Sequence, residues 1–146
     1  VIELFQDMAL LKFPGGREKP WHQDKAFFDL DLDSKVVGCW IALDPATAEN
    51  GCLRFWKGAN HQAHMHFPIR DYQMCDSSVP PKDDVVAVEL PPGGLVLFDG
   101  MIPHGTPSNT TNAGRRALQF HWIAKGSKIV SKRAENFGGI PNRASC

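Results

Sequence analysis

Glycine and proline divide this chain into short segments, and this punctuation limits the folds open to it more than any other feature. The 146 residues contain 13 glycines and 11 prolines. Between these breaks apolar residues recur at every second position, the spacing of strands rather than helices. Eight short strands are typical of a sandwich or barrel. The pattern therefore predicts an all-β protein with strands at 4–13, 36–43, 52–56, 85–90, 95–98, 101–104 and 115–123 and a shorter extended piece at 21–28.

Two tight turns and one long loop are predicted between these strands. Asn50-Gly51 and Asp99-Gly100 are dipeptides that accept positive φ at both central positions of a type I′ turn, so each predicts a hairpin. The second hairpin places His104 just past its turn. Residues 62–84 are polar, contain three prolines and lack sustained alternation, which predicts a long loop or lid.

Composition and charge exclude several classes of partner. Lysine and arginine number 16, as do aspartate and glutamate, so the net charge of zero provides no field to attract nucleic acid or an anionic membrane. No apolar run approaches the roughly 18 residues of a spanning helix. The sequence also lacks a signal-peptide layout and a peroxisomal S-K-L ending. We therefore expect one soluble cytoplasmic domain over residues 1–146 that acts on a small molecule.

A His-x-Asp motif at His22 and Asp24 is the first candidate for chemistry. In an extended segment, side chains two apart point to one face and can reach the same ion. The motif alone is weak, because 6 histidines and 11 aspartates produce about half a match by chance. Together with His104 it forms the two-histidine, one-carboxylate set of non-haem Fe(II) oxygenases, which leaves coordination positions open for a bidentate cosubstrate and dioxygen.

An arginine follows His104 by 11 residues, at the start of the last predicted strand. Arg115 would present a planar guanidinium to a carboxylate, and a dicarboxylate cosubstrate would use it. Arg116 competes for this role, since adjacent strand residues face opposite sides and only one of them can enter the interior. The spacing favours Arg115.

Motifs along most of the chain resemble one protein family. They occur in that family's order and spacing between about residues 4 and 123. In this sequence they are Trp21-His22-Gln23-Asp24, Trp40-Ile41-Ala42-Leu43-Asp44, Asn50-Gly51-Cys52-Leu53, Gly58-Ala59-Asn60-His61, His104-Gly105-Thr106 and Arg115-Arg116-Ala117. The chain resembles the phytanoyl-CoA dioxygenase family, whose members are Fe(II)- and 2-oxoglutarate-dependent oxygenases on a double-stranded β-helix, a cupin-like jelly roll.

The resemblance implies both a ligand set and a reaction. His22, Asp24 and His104 would bind Fe(II). In halogenating relatives a small residue replaces the carboxylate ligand, so the presence of Asp24 implies hydroxylation. The implied reaction consumes dioxygen, converts 2-oxoglutarate to succinate and carbon dioxide, and hydroxylates an unactivated C–H bond of a small molecule or acyl conjugate. The family's acyl-CoA specificity is not transferred, because no residue here identifies a CoA pocket.

The resemblance also implies the contacts of the cosubstrate. Arg115 would form a salt bridge with the distal carboxylate of 2-oxoglutarate, while Trp40 and Thr106 would contact the same molecule. Gln119 and His121 share the predicted face of Arg115, and either a pocket-lining or a core role is open to them. Outside this set, the histidines at 61, 64 and 66 predict a solvated cluster rather than a metal site.

The N-terminal side is shorter than is usual in the family, with only about twenty residues before His22. If Arg115 and Trp40 face inward, alternation turns a large apolar set outward. That set needs a cover, so we expect either a domain that lacks the family's N-terminal helices or a homodimer. The outward-facing apolar residues are Val37, Cys39, Ile41, Leu43, Leu118, Phe120 and Trp122.

Three other functions are compatible with the residues. A cupin-like metalloenzyme would use the metal without 2-oxoglutarate. A metal-free jelly roll would bind a sugar or peptide on the tryptophans at 21, 40, 56 and 122. An abbreviated domain could also bind iron but hold its pocket too loosely for catalysis.

Overall fold

The structure, a computed structural model, describes residues 1–60, 62–67, 73–74, 80–129 and 137. Two four-stranded antiparallel sheets form the fold, with strand orders β1-β10-β3-β8 and β2-β9-β4-β7. A short β5-β6 pair and two 3₁₀ turns, Asp24–Phe27 and Lys82–Asp84, complete the described elements. The strands are β1 (Ile2–Lys12), β2 (Lys19–His22), β3 (Val36–Ala42), β4 (Leu53–Trp56), β5 (His66–Phe67), β6 (Gln73–Met74), β7 (Val85–Val88), β8 (Leu95–Asp99), β9 (His104–Thr106) and β10 (Arg115–Ala124).

The all-β prediction is confirmed, and six of the predicted strands match observed ones to within three residues at each end. Two segments differ from the prediction. The region 101–104 is mostly turn, with β9 beginning only at His104, and the piece at 21–28 leaves the extended conformation after His22. There the chain enters the 3₁₀ turn Asp24–Phe27, which redirects Asp24 toward the neighbouring strand.

The two predicted hairpins are both wrong. Gly51 has φ +93°, as a turn glycine would, but the strands on either side of it, β3 and β4, belong to different sheets. The turn at Gly100 likewise joins β8 of one sheet to β9 of the other. Its glycine is required by packing, since an added Cβ would lie 2.9 Å from Val36 Cβ. Both turns therefore carry the chain across the sandwich.

The core lies between the two sheets and is built by strand alternation. Along β10, Ala117, Gln119 and His121 are buried while the residues between them are half-buried. Across the sandwich, the Phe55 and Phe98 rings approach to 5.2 Å between centroids. Burial of apolar side chains such as these rings is the main favourable term in folding.

The outward apolar face predicted for β3 and β10 lies on the β1-β10-β3-β8 sheet. Val37 and Leu43 are exposed, and Cys39, Ile41 and the three outward residues of β10 are half-buried. The neighbouring strand extends the face, with Leu95 54% and Leu97 62% exposed. Its cover, an N-terminal segment or a second copy, stays a prediction. None of the described helical segments is long and apolar enough to cross a membrane.

The predicted loop at 62–84 is described only in part. The structure describes 62–67, 73–74 and 80–84, and within them His66 pairs with Met74 and Phe67 with Gln73 in a two-residue ladder. His66, Phe67 and Met74 are buried. The described part of this segment therefore contributes to the core, contrary to a wholly solvated loop.

Candidate metal centre

Two histidines and one aspartate converge between the sheets. His22 ends β2 and His104 begins β9, and they are register partners in the antiparallel pair. The 3₁₀ turn after β2 returns Asp24 to the same point, so that Asp24 Oδ1 lies 3.4 Å from Nε2 of each histidine. All three side chains are buried, and one potential ligand atom from each lies within 4.8 Å of the others. Among the described residues no other group of three potential ligands meets this condition.

The orientation of both imidazoles is set by backbone carbonyls. His22 Nδ1 donates to Pro20 O at 2.7 Å, and His104 Nδ1 donates to Ile102 O at 3.0 Å. A carbonyl only accepts, so each ring donates from Nδ1 and directs Nε2 at the cluster. This is the arrangement found for histidines that bind metals.

The carboxylate of Asp24 is held by β10. Gln119 Nε2 donates to Asp24 Oδ2 at 3.1 Å and His121 Nε2 donates to it at 2.8 Å. Burial alone would raise the pKa of Asp24, but the charge of His104 and hydrogen bonds from the surrounding side chains hold it well below its usual range. Asp24 is therefore ionised, with Oδ1 facing His22 and His104. The sequence left either a pocket-lining or a core role open for Gln119 and His121, and the structure shows that both contact the candidate metal ligand Asp24.

Arg115 and Arg116 point to opposite faces of β10. Arg115 is buried, donates from Nη2 to Gly51 O at 2.9 Å and lies with Cζ 5.2 Å from the Trp40 ring centroid. Its Nε has no partner, and no described carboxylate pairs with its charge. Arg116 is exposed and binds Asp44 through Nε and Nη2 at 2.8 and 2.7 Å. The interior thus receives Arg115, as the spacing indicated.

A second cation near Arg115 was missed by sequence reasoning. Lys12 Nζ donates to Thr106 Oγ1 and to Pro107 O, each at 2.6 Å. Burial, with the charge of Arg115, lowers the pKa of Lys12 to about 8. The alternation of Met8, Leu10 and Lys12 along β1 was a signal that could have placed Lys12 on the inner face.

A cavity of about 500 Å³ joins these groups, a volume within the range of small-molecule sites. The predicted residues His22, Asp24, His104, Trp40, Thr106 and Arg115 all line it. Two observations test the fit to Fe(II) and 2-oxoglutarate. The three ligand atoms form a buried set of the type that iron prefers, and the buried guanidinium, with an orphaned Nε, requires an anion for charge balance. The residues present fit both groups.

The residue between the first two candidate ligands holds distant backbone segments in place. Gln23 is buried, donates from Nε2 to Gln62 O at 2.9 Å and to Met101 O at 2.6 Å, and accepts from His64 N at 2.8 Å. It therefore ties two connecting segments to the motif. The sequence carried no signal for these contacts, because all of them are made to distant backbone.

The predicted solvated histidine cluster is wrong for His66. Its Nε2 accepts from Gln23 N at 2.9 Å and its Nδ1 donates to His64 O at 2.7 Å, which requires a neutral ring. Burial lowers the pKa of His66 to about 4. His64 is half-buried and packs on the Trp56 ring, with centroids 5.3 Å apart, while residue 61 lies outside the described residues. His66 is a core histidine that supports the centre.

Comparison with known proteins gives a consistent result. A family model described as Phytanoyl-CoA dioxygenase (PhyH) matches residues 1–117. Phytanoyl-CoA dioxygenase domain-containing protein 1 of Danio rerio is 33% identical over 140 residues, covering 88% of this chain and 47% of that protein. The 2-aminoethylphosphonate dioxygenase of uncultured bacterium HF130_AEPn_1 is 30% identical over 127 residues, covering 86% and 48%. The chain thus spans about half the length of the curated relatives it matches.

A solved structure with the same fold contains the expected cosubstrate. EvdO2 from Micromonospora carbonacea var. aurantiaca, crystallised in complex with 2-oxoglutarate, aligns with a TM-score of 0.74 and 30% identity. The alignment covers 98% of this chain and 57% of that protein. The jelly-roll prediction, a double-stranded β-helix, is confirmed.

Proposed function

The chain belongs to the phytanoyl-CoA dioxygenase family, and from this premise we propose that it is an Fe(II)- and 2-oxoglutarate-dependent oxygenase that hydroxylates a C–H bond of a small molecule. One observation carries the proposal: His22 Nε2, Asp24 Oδ1 and His104 Nε2 converge in a cavity shared with an arginine that has no carboxylate partner among the described residues. The first group suits the metal and the second suits the cosubstrate.

The residues of this chain would hold the metal, orient the cosubstrate and exclude water. Fe(II), 2-oxoglutarate and dioxygen supply the oxidation, in which one oxygen atom enters the substrate C–H bond and the other enters succinate as carbon dioxide is released. His22, Asp24 and His104 would hold the ion, while Arg115 would hold the distal carboxylate. Thr106, whose hydroxyl is fixed by Lys12, and the ring of Trp40 complete the cosubstrate contacts. The two sheets exclude water from the reacting atoms.

Asp24 supports hydroxylation over halogenation. A halide can bind the metal only where the carboxylate ligand is absent, and Asp24 is buried and hydrogen-bonded by two β10 side chains. The Asp24 carboxylate is therefore held in position in the metal-free protein.

The alternatives are less well supported. In a cupin-like enzyme without 2-oxoglutarate, the buried charge of Arg115 would have no counterion among the described residues. The metal-free binding module requires exposed tryptophans, but Trp40 is 1% exposed and lies against Arg115. We propose a small molecule, rather than nucleic acid or a membrane, as the partner, because the candidate chemistry is enclosed between the sheets.

The test is anaerobic spectroscopy of the protein with Fe(II), before and after addition of 2-oxoglutarate. We expect about one equivalent of iron to bind and a weak visible charge-transfer band to appear with the cosubstrate. Asp24→Ala should lose iron, and Arg115→Ala should retain iron but lose or weaken the band. Arg116→Ala is the matched control, since this neighbour faces solvent, and it should behave as the wild type.

Other outcomes would contradict the proposal in different ways. Iron binding without the band would favour an enzyme that does not use 2-oxoglutarate. Absence of saturable iron binding would favour a metal-free module. Unchanged iron affinity in Asp24→Ala would refute the ligand assignment.

A further inference from the structure

An irregularity in β2 directs a lysine into the cavity. Lys19 pairs with Thr106 and His22 pairs with His104, so three steps along β2 correspond to two along β9. In a regular strand, residues three apart face opposite sides. The β-bulge cancels that alternation, and both Lys19 and His22 line the cavity while the two residues between them do not. Bulges of this kind re-aim a side chain, and they are frequent beside active sites.

The ammonium of Lys19 has no oxygen partner in the described part of the chain. Its Nζ lies 5.2 Å from the Phe27 ring centroid, a cation–π contact. The Phe27 ring in turn packs edge-on against His22, with centroids 5.5 Å apart. Lys12, in the same cavity, differs because two oxygens hold its Nζ. Within the described residues, Lys19 therefore presents an ammonium without a counterion to the cavity that the candidate metal ligands line.

The charges around the cavity favour an anion at this position. Arg115, Lys12 and Lys19 are the cationic side chains among its described lining residues, and Asp24 is the carboxylate. Under the proposed function, the distal carboxylate of 2-oxoglutarate offsets the charge of Arg115, and its other carboxylate together with Asp24 offsets the charge of the metal. Lys12 is held by two neutral oxygens. The charge of Lys19 is left without a counterion among the described residues that line the cavity, where charge pairs are stronger than in open water.

We propose that Lys19 binds the oxyanion of the substrate, a carboxylate or phosphonate on a short carbon chain that packs against Phe27. The inference rests on the proposed function and names the substrate class for that site. A lysine ammonium is a compact charge with three donors, which suits either oxyanion. The apolar ring beside it suits the carbon chain.

The test separates this inference from the proposed function. The protein is loaded anaerobically with Fe(II) and saturating 2-oxoglutarate, and the charge-transfer band first reports on the cosubstrate site. Short carboxylates and phosphonates of two to six carbons, with propylphosphonate and butanoate as leading probes, are then titrated by calorimetry. Butanamide serves as the uncharged counterpart of butanoate. We expect at least one anion to bind about tenfold or more tightly than its amide.

Variants assign the binding to Lys19. Lys19→Met keeps the apolar stem and should weaken the anion about tenfold or more, with the 2-oxoglutarate band unchanged. Lys19→Arg should restore most of the affinity, and Lys125→Met, at an exposed position after β10, should have no effect. Equal anion affinity in Lys19→Met and wild type, or no preference of wild type for any anion, would overturn the inference. Loss of the band in wild type would instead refute the proposed function, and the Lys19 comparison can still be made without cosubstrate.

Discussion

Replacement of Gln119 by leucine tests whether β10 positions the candidate metal ligand Asp24. Gln119 Nε2 donates to Asp24 Oδ2 at 3.1 Å, inside the sandwich. The substitution removes one of the two β10 hydrogen bonds to a buried carboxylate and leaves the one from His121. A hydrogen bond to a charged group contributes about 1.5–3 kcal/mol, so we expect the metal-free protein to lose about 2 kcal/mol. For a domain of this size, its Tm should fall by roughly 4–8 °C.

The same change should weaken metal binding. Mutation of a residue that hydrogen-bonds to a metal ligand without touching the metal typically lowers metal affinity about 10- to 100-fold. This corresponds to roughly 1.4–2.7 kcal/mol of binding free energy. Anaerobic calorimetry with Fe(II) measures this effect, and thermal unfolding of the metal-free protein measures the other. Because the two readouts are independent, a structural role of Gln119 can be distinguished from a positioning role.

Gln6→Leu is the matched control for this experiment. Gln6 lies on β1 opposite His121 and lines the same cavity, but it makes no hydrogen bond to Asp24. It should leave the affinity for Fe(II) within about twofold of wild type. The reasoning is refuted if Gln119→Leu lowers the Tm as expected while its affinity for Fe(II) equals that of the control.

Three further predictions concern stability. Gly100→Ala should destabilise by about 1–3 kcal/mol in urea unfolding, because its Cβ would lie 2.9 Å from Val36 Cβ; an unchanged midpoint would contradict this packing. His66 has a pKa of about 4 when folded and 6.5 as its ordinary value, so the unfolded chain takes up a proton that the folded chain does not. Stability should thus fall by about 2 kcal/mol from pH 7 to 5, and His66→Gln should flatten that dependence. Hydrogen bonds from Arg116 lower the pKa of Asp44 to about 2. Arg116→Ala should therefore be less stable than wild type at pH 6 but equally stable below pH 2. A difference in stability that persists below pH 2 would refute this.

Local patterns predicted the elements that depend on near neighbours. The alternation along 115–123 correctly set Arg115 inward and Arg116 outward, because the period of a strand is a property of its own backbone. The His-x-Asp spacing likewise placed His22 and Asp24 close together, although Asp24 lies in a 3₁₀ turn rather than a strand. The 3₁₀ turn thus brings Asp24 close to His22, as an extended strand would also have done.

Residues that act through distant partners could not be assigned in this way. Gln119 and His121 were correctly placed on the inner face, but their contact with Asp24 spans 95 and 97 residues. The buried hydrogen bonds of Gln23 and His66 also join separate segments. No periodicity in one segment encodes which polar group lies across from it.

The sequence alone determined the all-β class and the inner faces of the long strands, because strand period is a local property, and motif spacing singled out the candidate metal ligands. Tertiary structure decided where the chain crosses between sheets. Asn50-Gly51 and Asp99-Gly100 have the dihedral preferences of hairpin turns, yet each joins the two sheets, since strand pairing depends on burial across the whole sandwich. It also decided the direction of Lys19, because a bulge depends on the register with β9 and not on β2 itself.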